Sequence, residues 1–447
     1  MDKQQFMDRL LAEAKAQGID PAEVYFSAGS SFSAGAMNGN IDSYKVSTRQ
    51  GLGLRGMYQG KMGYASTQAF DEEAIKQLIE GVKEGALLRE DEGAEEIYEG
   101  DAEYPTVVSY DESLAQVPAT AKLDAVLAIE KAALESVDTV KQCEGTQLST
   151  MSGEVYLRNS YGLNLQHKDN AFIAYTGAIA KDGDSTSTGM AFKCGRDFAK
   201  LDVKKLGEEA AQEAASGLHA EPVPAGNYRM ILRYDAMQSL LATFCGIFSA
   251  ENAQQGLSLL KGREGEKIAA DCVTLMDDPL LEGGFDSAPF DGEGVASKTK
   301  AVVENGVLKT LLHNRKTAKK QGVASTGNAL RPGLSAPITV APTNFFFKPG
   351  DKTLAELEAD MSDGLVITDL SGLHAGANMT SGDFSLLSKG YLLKGGKRVQ
   401  PVEQITIAGN FYDVLKNIRA IGSDLIFPAS GVGSSSGDVG TLTAAGK

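Results

Sequence analysis

The chain has 447 residues, 42% of them hydrophobic, and a formal net charge of −16. A chain of that length buries a large core and suits about two or three domains. Its negative field repels nucleic-acid phosphates, which need lysine and arginine to neutralise them, and this argues against direct DNA binding.

The opening segment MDKQQFMDRLLAEAKAQG spaces Phe6, Leu10, Leu11 and Ala14 at helical intervals among charges, and Gly18 is expected to end that helix. It lacks the apolar block of a signal peptide, so a cytoplasmic protein is expected. No stretch approaches the roughly 18–20 apolar residues of a membrane span. Residues 23–67 predict several strands, with turns at Asn38-Gly39-Asn40 and Gln59-Gly60-Lys61 and alternation in IDSYKVS. In GLGLR, Gly51 and Gly53 are expected to permit a bulge or close packing. A helix follows over about 71–88, with Ile75, Leu78, Ile79 and Val82 on one face. The acidic run REDEGAEEIYEGDAEYP is expected as a solvated connection.

A helix near 120–136, a second run of strands over 139–194 and the helix DVKKLGEEAAQEAASG come next. Strands followed by a helix thus occur twice, consistent with a loose duplication or with one continuous antiparallel sheet. The segment EPVPAG, with two prolines and a glycine after a helix, marks the boundary between an N-terminal domain, 1–220, and a C-terminal domain, 221–447.

Beyond it, NYRMILRY, FDGEGVASKTKAVVENGVLKTLLHN, PITVAP, GLVITDL, GYLLKGGKRVQ and EQITIAG predict strands and hairpins, with a helix over about 411–421. The expected fold class is therefore α+β: an N-terminal α/β domain with antiparallel sheet and helices, then a large, mainly antiparallel β domain. The last stretch, PASGVGSSSGDVGTLTAAGK, is expected as flexible loop or a closing strand. The basic run NRKTAKKQG is expected as a solvated face or a contact for an acidic partner, and Phe345, Phe346 and Phe347 as core or interface. Cys143, Cys194, Cys245 and Cys272 form no CxxC pair and are expected as free, mostly buried thiols.

The segments GLGLR with GYAST, FDGEGVASKTKAVVENGVLKTLLHNRKTAKKQG, STGNALR, GDFS with its following GY, and ITIAGNFYDVLKNI together resemble the TldD/PmbA family, also called modulator of DNA gyrase. The resemblance implies a peptidase of two related subunits. A TldD-like chain carries zinc on His-Glu-x-x-x-His plus a later cysteine, and a TldE-like (PmbA) chain carries none.

The four histidines, His167, His219, His313 and His374, include no pair within one helix turn. Matched to the family's metal helix, LLATFCGI places Ala242 and Ile247 at the histidine positions and Thr243 at the glutamate position. No cysteine follows Cys272, and the late-cysteine region corresponds to GVGSSSGD. Catalytic zinc needs three protein ligands and an open position. Ligand loss of this kind removes most of a protein zinc site's roughly 10–16 kcal/mol.

The expectation is a TldE/PmbA-like subunit with no metal or catalytic residue of its own, inactive alone, whose TldD-like partner bears the zinc. A stand-alone homodimeric peptide-binding or scaffold protein is the alternative. The segment SGLHAGANMTSGDFSLLSKGY is the candidate wall of a groove for a flexible peptide, through Gly372, His374, Asn378, Ser381, Gly382, Asp383 and Phe384, because small residues admit an extended backbone. A serine triad drawn from Ser371 or Ser381 with His374 and Asp383 has only proximity along the chain behind it.

Overall fold

The computed structural model describes residues 2–89 and 95–446. Two Asn/Gln-Gly turns start the architecture. Asn38 and Gly39 at φ 53° and 72°, and Gln59 and Gly60 at 50° and 78°, give two successive positive-φ residues, which match the twist of hairpin strands. They join β1 (Ala22–Met37), β2 (Asn40–Tyr58) and β3 (Lys61–Thr67) into a meander. This unit is preceded by helix α1 (Lys3–Ala16) and followed by α2 (Glu72–Leu87).

The same unit recurs: helix Ala119–Ser136, then β4 (Val140–Asn159), β5 (Asn164–Asp182) and β6 (Ser185–Gly195), then helix Val203–Ser216. Both meanders form one six-stranded antiparallel sheet in the order β3-β2-β1-β4-β5-β6, joined by β1 against β4. The duplication and the continuous sheet are thus one arrangement. Separate apolar clusters underlie the two halves, one centred on Phe6, Phe26 and Leu78, the other on Val126, Ile129 and Phe172.

From Gly226 the chain builds a barrel. β7 (Gly226–Leu232) pairs in parallel with Gly364–Ser371 and antiparallel with Gly437–Gly446. The strands Asp383–Lys394 and Lys397–Asn410 continue the sheet, and pairing of Ile405–Ala408 with Thr443–Gly446 closes it. The terminal stretch is therefore a closing strand, with Val439 and Ala444 fully buried, and not a flexible loop. A second sheet carries Phe345–Phe347, whose side chains are all buried, so this run is core. The helix expected over 411–421 ends at Asn417 and gives way to the short strand Ala420–Ile421.

Two further expectations change. Of the acidic run, residues 90–94 lie outside the described residues; residues 95–105 are docked rather than solvated. Tyr104 donates to the Gly294 carbonyl at 2.8 Å, and the Asp101 carboxylate accepts from Ala296 N at 2.7 Å. Glu95 and Glu96 pair with Lys316, Lys319 and Arg315 on the helix Arg315–Gln321, so the acidic partner of the basic run is the chain's own strap. All four thiols are free, but they are not mostly buried: Cys143 is buried, Cys194 and Cys245 are half-buried, and Cys272 is exposed.

The N-terminal sheet docks on the C-terminal half through GLGLR. A side-chain carbon on Gly53 would stand 2.0 Å from the Leu334 carbonyl oxygen, so the glycine admits the 331–336 loop onto the sheet. Beside it, Arg55 donates to Glu23 at 2.7 and 3.2 Å, and Arg331, from the C-terminal half, pairs with the same carboxylate. Arg331 also donates to Gly292 O at 2.6 Å.

Candidate functional site

The helix Tyr234–Phe244 packs against the barrel, and Ala242 and Thr243 lie in its last turn; Ile247 falls in the following 3-10 turn, 1% exposed. Ala242 and Ile247 bring no donor atom. Thr243 Oγ1 donates back to the Ser239 carbonyl at 2.8 Å. Cys245 Sγ sits 3.2 Å from the Ala242 carbonyl, and burial pushes its thiol up to about 11, away from the thiolate that a metal requires.

The late-cysteine region lies beside this helix. Gln238 Nε2 donates to Val432 O at 3.2 Å, and Tyr234 N donates to Ser436 Oγ at 3.0 Å. Ser434, Ser435 and Ser436 are fully buried, and Ser436 donates to Asp424 at 2.6 Å. Neutral hydroxyls and aliphatic side chains do not suit zinc, which takes thiolate, imidazole or carboxylate. The residues present do not fit the metal.

The candidate groove residues form a closed turn between two barrel strands. Asn378 Oδ1 accepts from Thr380 N and Ser381 N at 3.0 and 3.1 Å, the Asn378 carbonyl accepts from Gly382 N, and Asn378 N donates to Asp383 O. Asn410 and Ser381 donate to the Asp383 carboxylate at 2.8 Å each, which holds it below the ordinary carboxylate range. At Gly382, φ +84°, a side-chain carbon would meet the Tyr412 ring at 2.6 Å. Phe384 is buried near Phe244 with ring centres 6.4 Å apart, whereas Gly372 and His374 are exposed. The serines do not form the triad: Ser371 donates to Asp369 at 3.1 Å and Ser381 to Asp383, neither to His374.

A second site was not visible in the sequence. A cleft of about 330 Å³ opens where β5 meets the C-terminal half, lined by His167 and Asp169 from one side and by Asp286, Phe290, Ser297 and Asn328 from the other. It leads toward the late-cysteine region, since a side-chain carbon on Gly431 would fall 2.2 Å from Asp286 Oδ2. Its residues stand more than a hundred positions apart, and FDGEGVAS supplies the family resemblance without disclosing what it lines.

That motif also carries a buried acid pair. Asp291 accepts from Glu293 N, Val295 N and Ala329 N, while Glu293 accepts from Arg315 N at 2.8 Å and stands 3.9 Å from Arg55. Burial raises both carboxyls, Asp291 to about 7 with the Glu293 charge adding to it, and attraction to Arg55 opposes the rise at Glu293. In unfolded chain the two titrate near 3.9 and 4.3. The folded state therefore binds more protons between these values and about pH 7, and the pair's stabilising contribution falls as pH rises through that window. The urea midpoint is expected to drop between pH 5 and pH 8, with a shallower slope in Glu293→Gln. A midpoint that climbs over this range, with the slope unchanged in the variant, would contradict the assignment.

Models described as PmbA/TldA metallopeptidase domain 1, central domain and C-terminal domain match residues 22–86, 112–218 and 225–446. A crystal structure from Thermotoga maritima, solved as a candidate modulator of a DNA gyrase, superposes with a TM-score of 0.92 at 32% identity, covering 99% of this chain and 100% of that one. The chain belongs to the PmbA/TldD metallopeptidase family.

Within the family, Metalloprotease PmbA of Escherichia coli O157:H7 is 25% identical, over 93% of this chain and 89% of that protein. A metalloprotease of Methanothermobacter thermautotrophicus is 29% identical over 87% and 84%. TldE from Thermococcus kodakarensis has the same fold, with a TM-score of 0.90 at 22% identity and coverage of 99% and 100%. Among the described residues, no helix is long and apolar enough to cross a membrane.

Proposed function

We propose that this chain is a TldE/PmbA-like, metal-free subunit of a two-subunit cytoplasmic peptidase, in which a TldD-like partner supplies zinc, base and activated water. One feature supports this reading: Ala242, at the end of its helix, and Ile247, in the 3-10 turn after it, are the residues the resemblance matches to the family's histidines, and neither has a donor atom. The chain's own part is to bind a flexible peptide and complete the cavity around it. The turn over residues 372–384 presents Gly372 and His374 outward, while Asn378, Ser381 and Asp383 keep the turn closed.

Enclosure between subunits is required by magnitude. About five backbone hydrogen bonds at roughly 0.5–1.5 kcal/mol each fall short of the roughly 8 kcal/mol of micromolar binding.

The test is co-expression of the tagged chain with a homologue from the same organism that carries His-Glu-x-x-x-His. Stoichiometric co-elution of the two chains is expected. A homodimer that ignores the homologue would favour the stand-alone binding protein instead.

A further inference from the structure

The cleft between β5 and the C-terminal half has more acid than base, and two of its neutral polar groups lack partners. Asp169 and Asp286 face it, with Asp291 at its floor. Arg196 lies close to Asp169 and Asp286, yet its guanidinium is committed to carbonyls, those of Ser109, Gly283 and Gly284 at 2.7, 3.0 and 2.9 Å. Lys300 is taken by Asp277 at 2.8 Å. Asp291 is held by three backbone donors. Asp286 accepts from the backbone of Gly431, and Asp169 forms no ion pair among the described residues.

Ser297 is 4% exposed and lines the cleft, and its hydroxyl has no hydrogen-bond partner among the described residues. The half-buried His167 ring likewise has no hydrogen-bond partner among the described residues, and it meets Phe290 edge-on at 6.3 Å. Neither group is among the side-chain atoms sealed from solvent without a partner, so both open onto the cleft, where water is exchanged for a ligand's donor. Such groups in a cleft of this size point to a ligand that supplies donors.

We infer that the cleft binds a primary ammonium group of a peptide, with Asp169 and Asp286 as counter-charge and Ser297 and His167 as neutral acceptors. An ammonium carries three donors and no acceptor, which matches that set. Burial holds the His167 imidazole below its ordinary range, so a ring nitrogen is free to accept at neutral pH. Burial, with Asp169 adding to it, raises Asp286 when the cleft is empty, and an incoming cation relieves that cost. Phe285 and Phe290 form an apolar wall against which an alkyl stem or the cation itself packs. This inference rests on the reading of the chain as a peptide-binding subunit and names the feature of the peptide that it holds.

The test uses three pentapeptides labelled at the carboxyl end and titrated by fluorescence anisotropy into the full chain alone at pH 6.5: free-amino pentaalanine, its acetylated form, and acetyl-Ala-Ala-Lys-Ala-Ala. At least one ammonium-bearing peptide is expected to bind about tenfold or more tightly than acetylated pentaalanine. Tighter binding of the first assigns the site to the amino terminus, and of the third to a lysine side chain. Asp169→Asn and Asp286→Asn should each weaken that binding about tenfold. Glu304→Gln, at an exposed pair with Lys309, should leave it unchanged. Equal binding of all three peptides, or near-identical isotherms for the Asp variants and the parent, overturns the inference. Neither partner nor zinc is present, so such a failure would leave the two-subunit reading standing, and failure to co-elute with a TldD-like chain would leave the ammonium site standing.

Discussion

Arg55→Ala is expected to lower stability by about 3–5 kcal/mol, the range for removing one partner of a buried ion pair. Arg55 is 2% exposed and Glu23 is fully buried. Without the guanidinium, Glu23 keeps only Arg331, and Glu293 loses the cation that opposes its rise. The loss also reaches the cleft, because Arg331 ties Glu23 on the sheet to Gly292 in the loop below it. Arg55→Lys keeps the charge but not the two-pronged donation, so an intermediate cost is expected. Urea denaturation of the three proteins measures this. A change below about 0.5 kcal/mol for the alanine variant, the size of a surface pair, would show that the network does not couple the halves.

Phe244→Ala is expected to cost a similar amount, about 3–5 kcal/mol. The ring is fully buried and stacks on Phe411 at 4.8 Å with an interplanar angle of 10°. It anchors the end of the helix bearing Ala242 and Thr243 to the helix Phe411–Asn417. Truncation leaves a void beside the last turn of the helix, where Ala242 and Thr243 lie. The expected signature is a lower thermal midpoint together with weaker co-elution with the TldD-like partner proposed above. A loss under about 1 kcal/mol would mean that the site collapses around the void.

Local chemistry in the sequence was enough to place most elements. The Asn38-Gly39 and Gln59-Gly60 turns dictate hairpins, and the spacing of Ile75, Leu78 and Val82 dictates a helix face. Long-range pairing was not readable in this way. The charge of Glu95 and Glu96 resembles that of a solvated linker, and only the fold brings Lys316 and Lys319 beneath it. The small, polar stretch 437–446 lacks the bulk of a typical strand, yet pairing on both sides makes it central to the barrel. That no two of the four histidines lie within one helix turn of each other was legible from the sequence alone. The cleft was not, since Asp169 and Asp286 meet only through docking of two halves whose interface is written in Gly53 and Arg55.

The most direct test of the account is hydrolysis of a flexible peptide, with metal analysis, by the purified chain alone and mixed with a TldD-like homologue from the same organism. The account predicts cleavage only in the mixture, abolished by a chelator, with zinc following the homologue. Stoichiometric zinc and cleavage by this chain alone would contradict it.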